Sequence, residues 1–123
     1  MIGVVLSTVV YGIPFGPIIS ADASGNYPGA ILGDSPAAYW RLGEAPGATS
    51  GADTTGHGNT VTYQGPVTLG AAGAITGDPN TAVQFGSAGA VATRTATPVT
   101  ATANWTLEAW IYPTTVTQSS VAL

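Results

Sequence analysis

The stretch SPAAYWRLGE, residues 35–44, sets an aromatic pair, one of the chain's two basic residues and a carboxylate into a protein otherwise rich in Ala, Gly and Thr. Asp34, Ser35 and Pro36 restart the chain, because Asp and Ser side chains bond to nearby backbone and proline bars a continuing helix. Along AAYWRL the residues alternate, with Ala38, Trp40 and Leu42 on one face and Tyr39 and Arg41 on the other, the period of a β-strand. Two readings of this stretch compete. In one, Trp40 and Leu42 enter a core, and Arg41 pairs with a carboxylate such as Glu44 or Asp53 to tie a loop to the strand. In the other, Tyr39 and Trp40 form a stacking platform for a sugar whose hydroxyls bond to Arg41 and Glu44. The share of core burial that large aromatics contribute favours the first.

Composition supports strands along the whole chain. At 123 residues there is room for one ordinary domain, which buries roughly two-thirds of its unfolded surface without needing staples. With no cysteine, neither disulfides nor thiolate metal sites contribute. Seventeen Gly and nine Pro, with abundant Thr, Ala and Val, fit short strands joined by tight turns; the charged and amide helix formers are scarce. Only 7% of residues are charged, against about 25% in ordinary soluble domains. Such a surface is expected to be partly covered by other chains. The formal net charge of −4 rests on six carboxylates against Arg41 and Arg94. Two isolated arginines cannot displace counterions from phosphates, which excludes nucleic acid as a main partner.

The clearest strand is NWTLEAWIYP, residues 104–113. Trp105, Leu107, Ala109 and Ile111 make an apolar face expected to pack inward, and Thr106, Glu108, Trp110 and Tyr112 a mixed one. VTYQGPVTL gives two strand pieces about Gly65-Pro66, and TAVQF and GAVATRT are further short strands. GEAPGATSGADTTGHGNT reads as loop, GAAGAITGDPN as a connection ending in a turn, and Ala30–Leu32 as one turn of helix. Short strands at this spacing indicate a sandwich or barrel.

The first 26 residues are the most apolar part. A transmembrane helix needs about 20 uninterrupted apolar residues, and Gly12, Pro14, Gly16 and Pro17 interrupt this segment, so no membrane span is expected. A secretory signal lacks its basic n-region here, although Ala21-Asp22-Ala23 resembles a cleavage site. The β-branched run favours an extended arm, with Val4, Val5, Leu6, Val9, Val10, Tyr11 and Phe15 as its assembly residues. Such an arm pairs with a sheet edge or lies in a groove of a neighbouring subunit.

Four blocks occur in order: YPGAILGDSPAAYWRLGE, ADTTGHGN, GAITGDPNTAVQFGSAGAVAT and NWTLEAWIYP. Together they resemble the laminin-G-like, concanavalin-A-like jelly-roll family, in the form common in bacterial surface proteins and in phage tail and virion proteins. The resemblance runs from Tyr27 to Pro113. It implies an all-β fold, an antiparallel β-sandwich of jelly-roll type, binding glycans or proteins. The family continues through several more strands beyond TTVTQSSVAL, so the sandwich is expected to be incomplete at its C-terminus, with the remaining strands supplied by a longer polypeptide or another chain. The expected domains are an anchoring arm, 1–26, and the N-terminal portion of the jelly roll, 27–123.

Concanavalin-A-like glucanases place carboxylates at alternate positions of one strand. A retaining glycosidase needs two of them about 5 to 5.5 Å apart. The face of Glu108, Trp110 and Tyr112 supplies one acid, so no enzyme is expected; with Tyr39, these residues are the binding candidates. His57 between glycines reads as an exposed loop residue. Asp53 and Asn59 are weak candidates for calcium, which takes roughly six to eight oxygens; an Asx turn fits them better, and no cofactor is expected. Asn104-Trp105-Thr106 matches a glycosylation sequon by chance, at the start of an expected core strand. The resemblance thus implies a non-enzymatic virion structural protein of a phage: a fibre, decoration or minor tail component. It would be a homo-oligomer among other virion subunits, anchored by its arm and displaying the jelly roll toward a host-surface glycan or neighbouring subunits. The alternative is a secreted or surface-displayed bacterial carbohydrate-binding module whose mature chain starts near Ser24 rather than at Met1 or Ile2.

Overall fold

A computed structural model describes residues 2–8, 27–86, 89–96, 98 and 104–113. They are mainly β, in two small antiparallel sheets with one short helix. In chain order the elements are β1 (Ile2–Thr8), α1 (Tyr27–Gly33), β2 (Ala38–Tyr39), β3 (Ser50–Gly51), β4 (Val61–Gln64), β5 (Val67–Ala71), β6 (Ala82–Phe85), β7 (Val91–Thr93) and β8 (Glu108–Tyr112). The expected turn of helix at 30–32 extends to seven residues, with Pro28 in its first turn, where a missing N–H costs nothing. Beyond it, Asp34 and Ser35 N–H donate to the carbonyls of Ile31 and Leu32, and Ser35 turns the chain at φ 52°.

The larger sheet is built around β1. Gly3 and Val4 pair with both β6 and β8, and Ser7 pairs with both β2 and β8. Strand β8 therefore holds one edge of β1, while β6 and then β2 follow one another along the other. Beyond β6 lies β5, whose register slips between Thr68 and Ala71, where Gly70 takes a left-handed φ of 82° as a bulge requires. The extended backbone expected in the arm is thus present over 2–8, paired with strands of its own chain. Val9, Val10, Tyr11 and Phe15 lie outside the described residues.

The smaller sheet runs β3-β4-β7. The two-residue β3 falls in the stretch expected to be loop. Its Gly51 is buried, and a Cβ there would stand 2.8 Å from the Tyr63 hydroxyl and 2.9 Å from Val61, so nothing larger fits. Gly65-Pro66 carries the chain from the small sheet to the large one, with Gly65 at φ 72°, a conformation that disfavours a side chain. Ala38, Trp40, Leu42, Val61, Tyr63 and Val83 form one buried cluster, extended by Val67, Leu69, Phe85 and Ala92. Side chains of both sheets therefore share a core, and each large one buried contributes about 1.5–3 kcal/mol.

The structure corrects the sequence reading at both tryptophan-bearing segments. Around Trp40 the core assignment of Ala38, Trp40 and Leu42 holds, but regular pairing ends early. Trp40 makes only an isolated bridge to Asp53, and Leu42 leaves the strand region at φ 54°. Arg41 pairs with Asp78, not with Glu44 or Asp53. At the other segment the strand starts at Glu108, leaving the 104–107 sequon region outside it. Trp105 and Ile111 are 56% and 55% exposed, and Ala109 is exposed too. Cross-strand partners share a face, and Val4 is level with both Val83 and Ile111. Ile111 therefore stands on the core side of the sheet but past the reach of the three-stranded layer.

Candidate functional site

The same ladders place Tyr39 and Glu108 on the opposite, outer face of the larger sheet, since both pair with Ser7. Strand alternation adds Trp110 and Tyr112 to that face. There Tyr27, Tyr39, Arg41, Asp78, Asn80 and Trp110 line a shallow cleft with Gly73, Ala74 and Ile75. It encloses about 310 Å³ counted to its open mouth, with interior room for a single water, so a ring-sized ligand would rest on the rim.

The cleft's polar floor is tightly held. Arg41 Nη2 donates to Asp78 Oδ1 at 2.9 Å and to Oδ2 at 3.1 Å, one nitrogen spanning both oxygens. Asp78 Oδ1 also accepts the Asn80 N–H at 2.8 Å, an Asx turn that Asp78-Pro79-Asn80 is built to make. Asn80 Nδ2 returns to the Arg41 carbonyl at 3.0 Å and the Thr81 carbonyl at 2.9 Å. Both ends of Arg41 are thereby fixed to the loop 37 residues away. The Asp78 side chain is 7% exposed and the Arg41 side chain 30%, so the guanidinium still faces solvent. Burial pushes the Tyr39 phenol above its ordinary range, although the charge of Arg41 beside it opposes the shift. Across the mouth, Trp110 Nε1 donates to the Tyr27 hydroxyl at 2.9 Å, leaving the indole half-exposed.

Of the four binding candidates, Tyr39 and Trp110 line the cleft together, while Glu108 and Tyr112 flank Trp110 on the same exposed strand face. Tyr27, Asp78 and Asn80 are additions, and Arg41 enters with a new partner. The Asp-Pro-Asn signal announced a turn but not what the turn would touch. Glu44 lies elsewhere, accepting the Tyr63 hydroxyl at 2.6 Å and the Ala52 N–H at 2.9 Å. Burial first, then that hydrogen bond and the Glu44 charge, push the Tyr63 phenol well up.

The Asp53 loop is structural. Its Oδ1 accepts from Tyr39 N–H, Thr55 N–H and the Thr55 hydroxyl, and Oδ2 from Asn59 N–H. Asn59 Nδ2 donates to the Ala37 carbonyl, and the Asn59 carbonyl accepts from the Trp40 indole. The expected Asx turn therefore forms, with the Asp53 oxygens already engaged, and among the described residues no three acidic, His or Cys groups gather for a metal. His57 is exposed, its Nδ1 against the Ala37 carbonyl at 3.2 Å.

Partial burial pushes the Asp53 carboxyl up. Donation from the Thr55 hydroxyl and from the backbone of Tyr39, Asn59 and Thr55 outweighs this and holds it below the usual carboxylate range. A depressed folded pKa stabilises the protein fully above the unfolded value, about 4, and that contribution is lost as pH falls through the folded value. Asp53→Ala is expected to cost about 1–2 kcal/mol at pH 7 and to flatten the acid limb of stability below about pH 4. Urea melts at pH 7, 5 and 3 measure both.

Among the described residues, no helix is long and apolar enough to cross a membrane. Comparison with protein-family models, with curated proteins and with solved structures finds no match for this chain.

Proposed function

We propose that this chain is a non-enzymatic jelly-roll module of a phage-like virion, a fibre, decoration or minor tail component, and that its cleft binds a host-surface glycan. The observation that carries the glycan reading is the half-exposed Trp110 beside the Arg41–Asp78–Asn80 network. An indole face receives the C–H face of a sugar ring, and the solvent-facing Arg41 guanidinium next to it can donate to hydroxyls that project from the ring edge. The cleft's shallowness suits a sugar resting on the rim. Asp78 is committed to Arg41 and Asn80, and among the described residues Glu108 is the other carboxylate on this face, which supports binding without hydrolysis.

A glycan array followed by calorimetry on the best ligand tests the reading. Trp110→Ala is expected to weaken binding at least about 30-fold, in keeping with removal of a central aromatic anchor. No new reducing ends should appear from the bound glycan. Binding that survives in Trp110→Ala would place the site elsewhere, and release of reducing ends would make the chain an enzyme.

A further inference from the structure

We propose that β8 pairs, antiparallel and about a two-fold axis at Trp110, with β8 of a second copy of this chain. Among the described residues β8 pairs only with β1, along one of its edges. Glu108 is the one charge in the strand. The strand has no lysine and no proline within 108–112, and its register with β1 runs unbroken from Gly3↔Tyr112 to Ser7↔Glu108. Its side chains are exposed on both faces, Tyr112 by 73% and Ile111 by 55%.

The strand is complementary to itself when reversed. About an axis at Trp110, Glu108 falls opposite Tyr112 of the other copy, a carboxylate facing a phenol that can donate to it. Ala109 falls opposite Ile111, small against large, and the indoles meet at the centre. The two Glu108 carboxylates then stand four residues apart along the strands, roughly 14 Å, beyond the ~8 Å screening length at physiological salt. Any in-register parallel pairing would set them side by side. This complementarity favours a copy of the chain over an unrelated peptide. Fully covering an aromatic side chain buries about 150–250 Å². A few half-exposed residues per copy therefore give well under the ~1,200 Å² of a stable complex, and the dimer should dissociate on dilution. Pairing also sets the two clefts on either side of the axis, so a branched or repeating ligand could engage both. The dimer does not depend on the glycan reading.

Sedimentation across a wide concentration range, with hydrogen exchange at both ends of it, tests the proposal. The wild-type chain should pass from monomer to dimer, with the alternate β8 amides that point away from β1 gaining protection only as dimer forms. Ile111→Lys, which adds a charge on the face away from the cleft, should weaken dimerisation at least about 10-fold while retaining the circular dichroism of the wild type. Thr62→Lys on the smaller sheet should dimerise normally. A monomer at every concentration overturns the proposal, whether its β8 amides are open or are protected throughout by another part of the chain. So does a dimer in which the β8 amides pointing away from β1 stay unprotected.

Discussion

Trp40→Ala lowers folding stability by about 3–5 kcal/mol, the cost of emptying a large aromatic site in a packed core. Trp40 is 5% exposed and stands where β2, β4 and β6 meet, in contact with the cluster of Leu42, Val61, Tyr63 and Val83. Its indole also donates to the Asn59 carbonyl. Removing it leaves that acceptor without its donor in a buried place and frees the loop that Asp53 organises. Against a total stability of about 5–15 kcal/mol for an ordinary domain, the variant sits near the edge of folding. Trp40→Phe keeps most of the volume and loses the hydrogen bond, and should cost less than half as much. Urea denaturation followed by circular dichroism ranks the three proteins. Fluorescence adds an internal check. Trp105 and Trp110 are exposed, so the blue-shifted part of the native emission belongs to Trp40 and should vanish in both variants.

Asp78→Ala is expected to cost about 2–3 kcal/mol and, on the proposed glycan reading, to abolish binding at the cleft. Breaking a buried ion pair by removing one partner typically costs about 3–5 kcal/mol, because the other charge stays buried. Here the Arg41 side chain is 30% exposed, and water screens part of that penalty. The loss includes the Asx turn to Asn80, and with it the clamp from Asn80 to the Arg41 carbonyl. Arg41→Met combined with Asp78→Leu leaves no orphaned charge, and should be more stable than Asp78→Ala while, on the same reading, still losing the proposed binding. A double-mutant cycle with Arg41→Ala should return a coupling of about 1–2 kcal/mol between the two side chains. Additive losses would mean that Arg41 and Asp78 act independently, and the ion pair would then have no part in holding the cleft.

Part of this architecture could be read from local pattern. The alternation of VTYQ, TAVQF and GAVAT and the scarcity of helix formers gave short strands at 61–64, 82–85 and 91–93, and Gly65-Pro66 marked the passage between β4 and β5. Burial of Trp40 and Leu42 followed from their shared face, and the Asp53 turn from Asp-Thr-Thr, because such turns close within a few residues. The partner of Arg41 was not readable. Asp53 and Glu44 were nearer in sequence, but the strand carries Arg41 toward the outer face, where the 73–80 loop lies. Both nearer acids are taken by other groups, Thr55 and Asn59 of its own loop for Asp53, and Ala52 and the β4 residue Tyr63 for Glu44.

The sequence by itself determined the strand class, the turn positions and which side chains of a strand lie together, since these follow from backbone preferences over a few residues. Only the tertiary structure decided what each face meets. Trp40 and Ile111 both read as inward-facing apolar residues. One is covered by the three-stranded sheet and the other extends past it, because alternation fixes a side chain's direction while burial needs a second layer at that point.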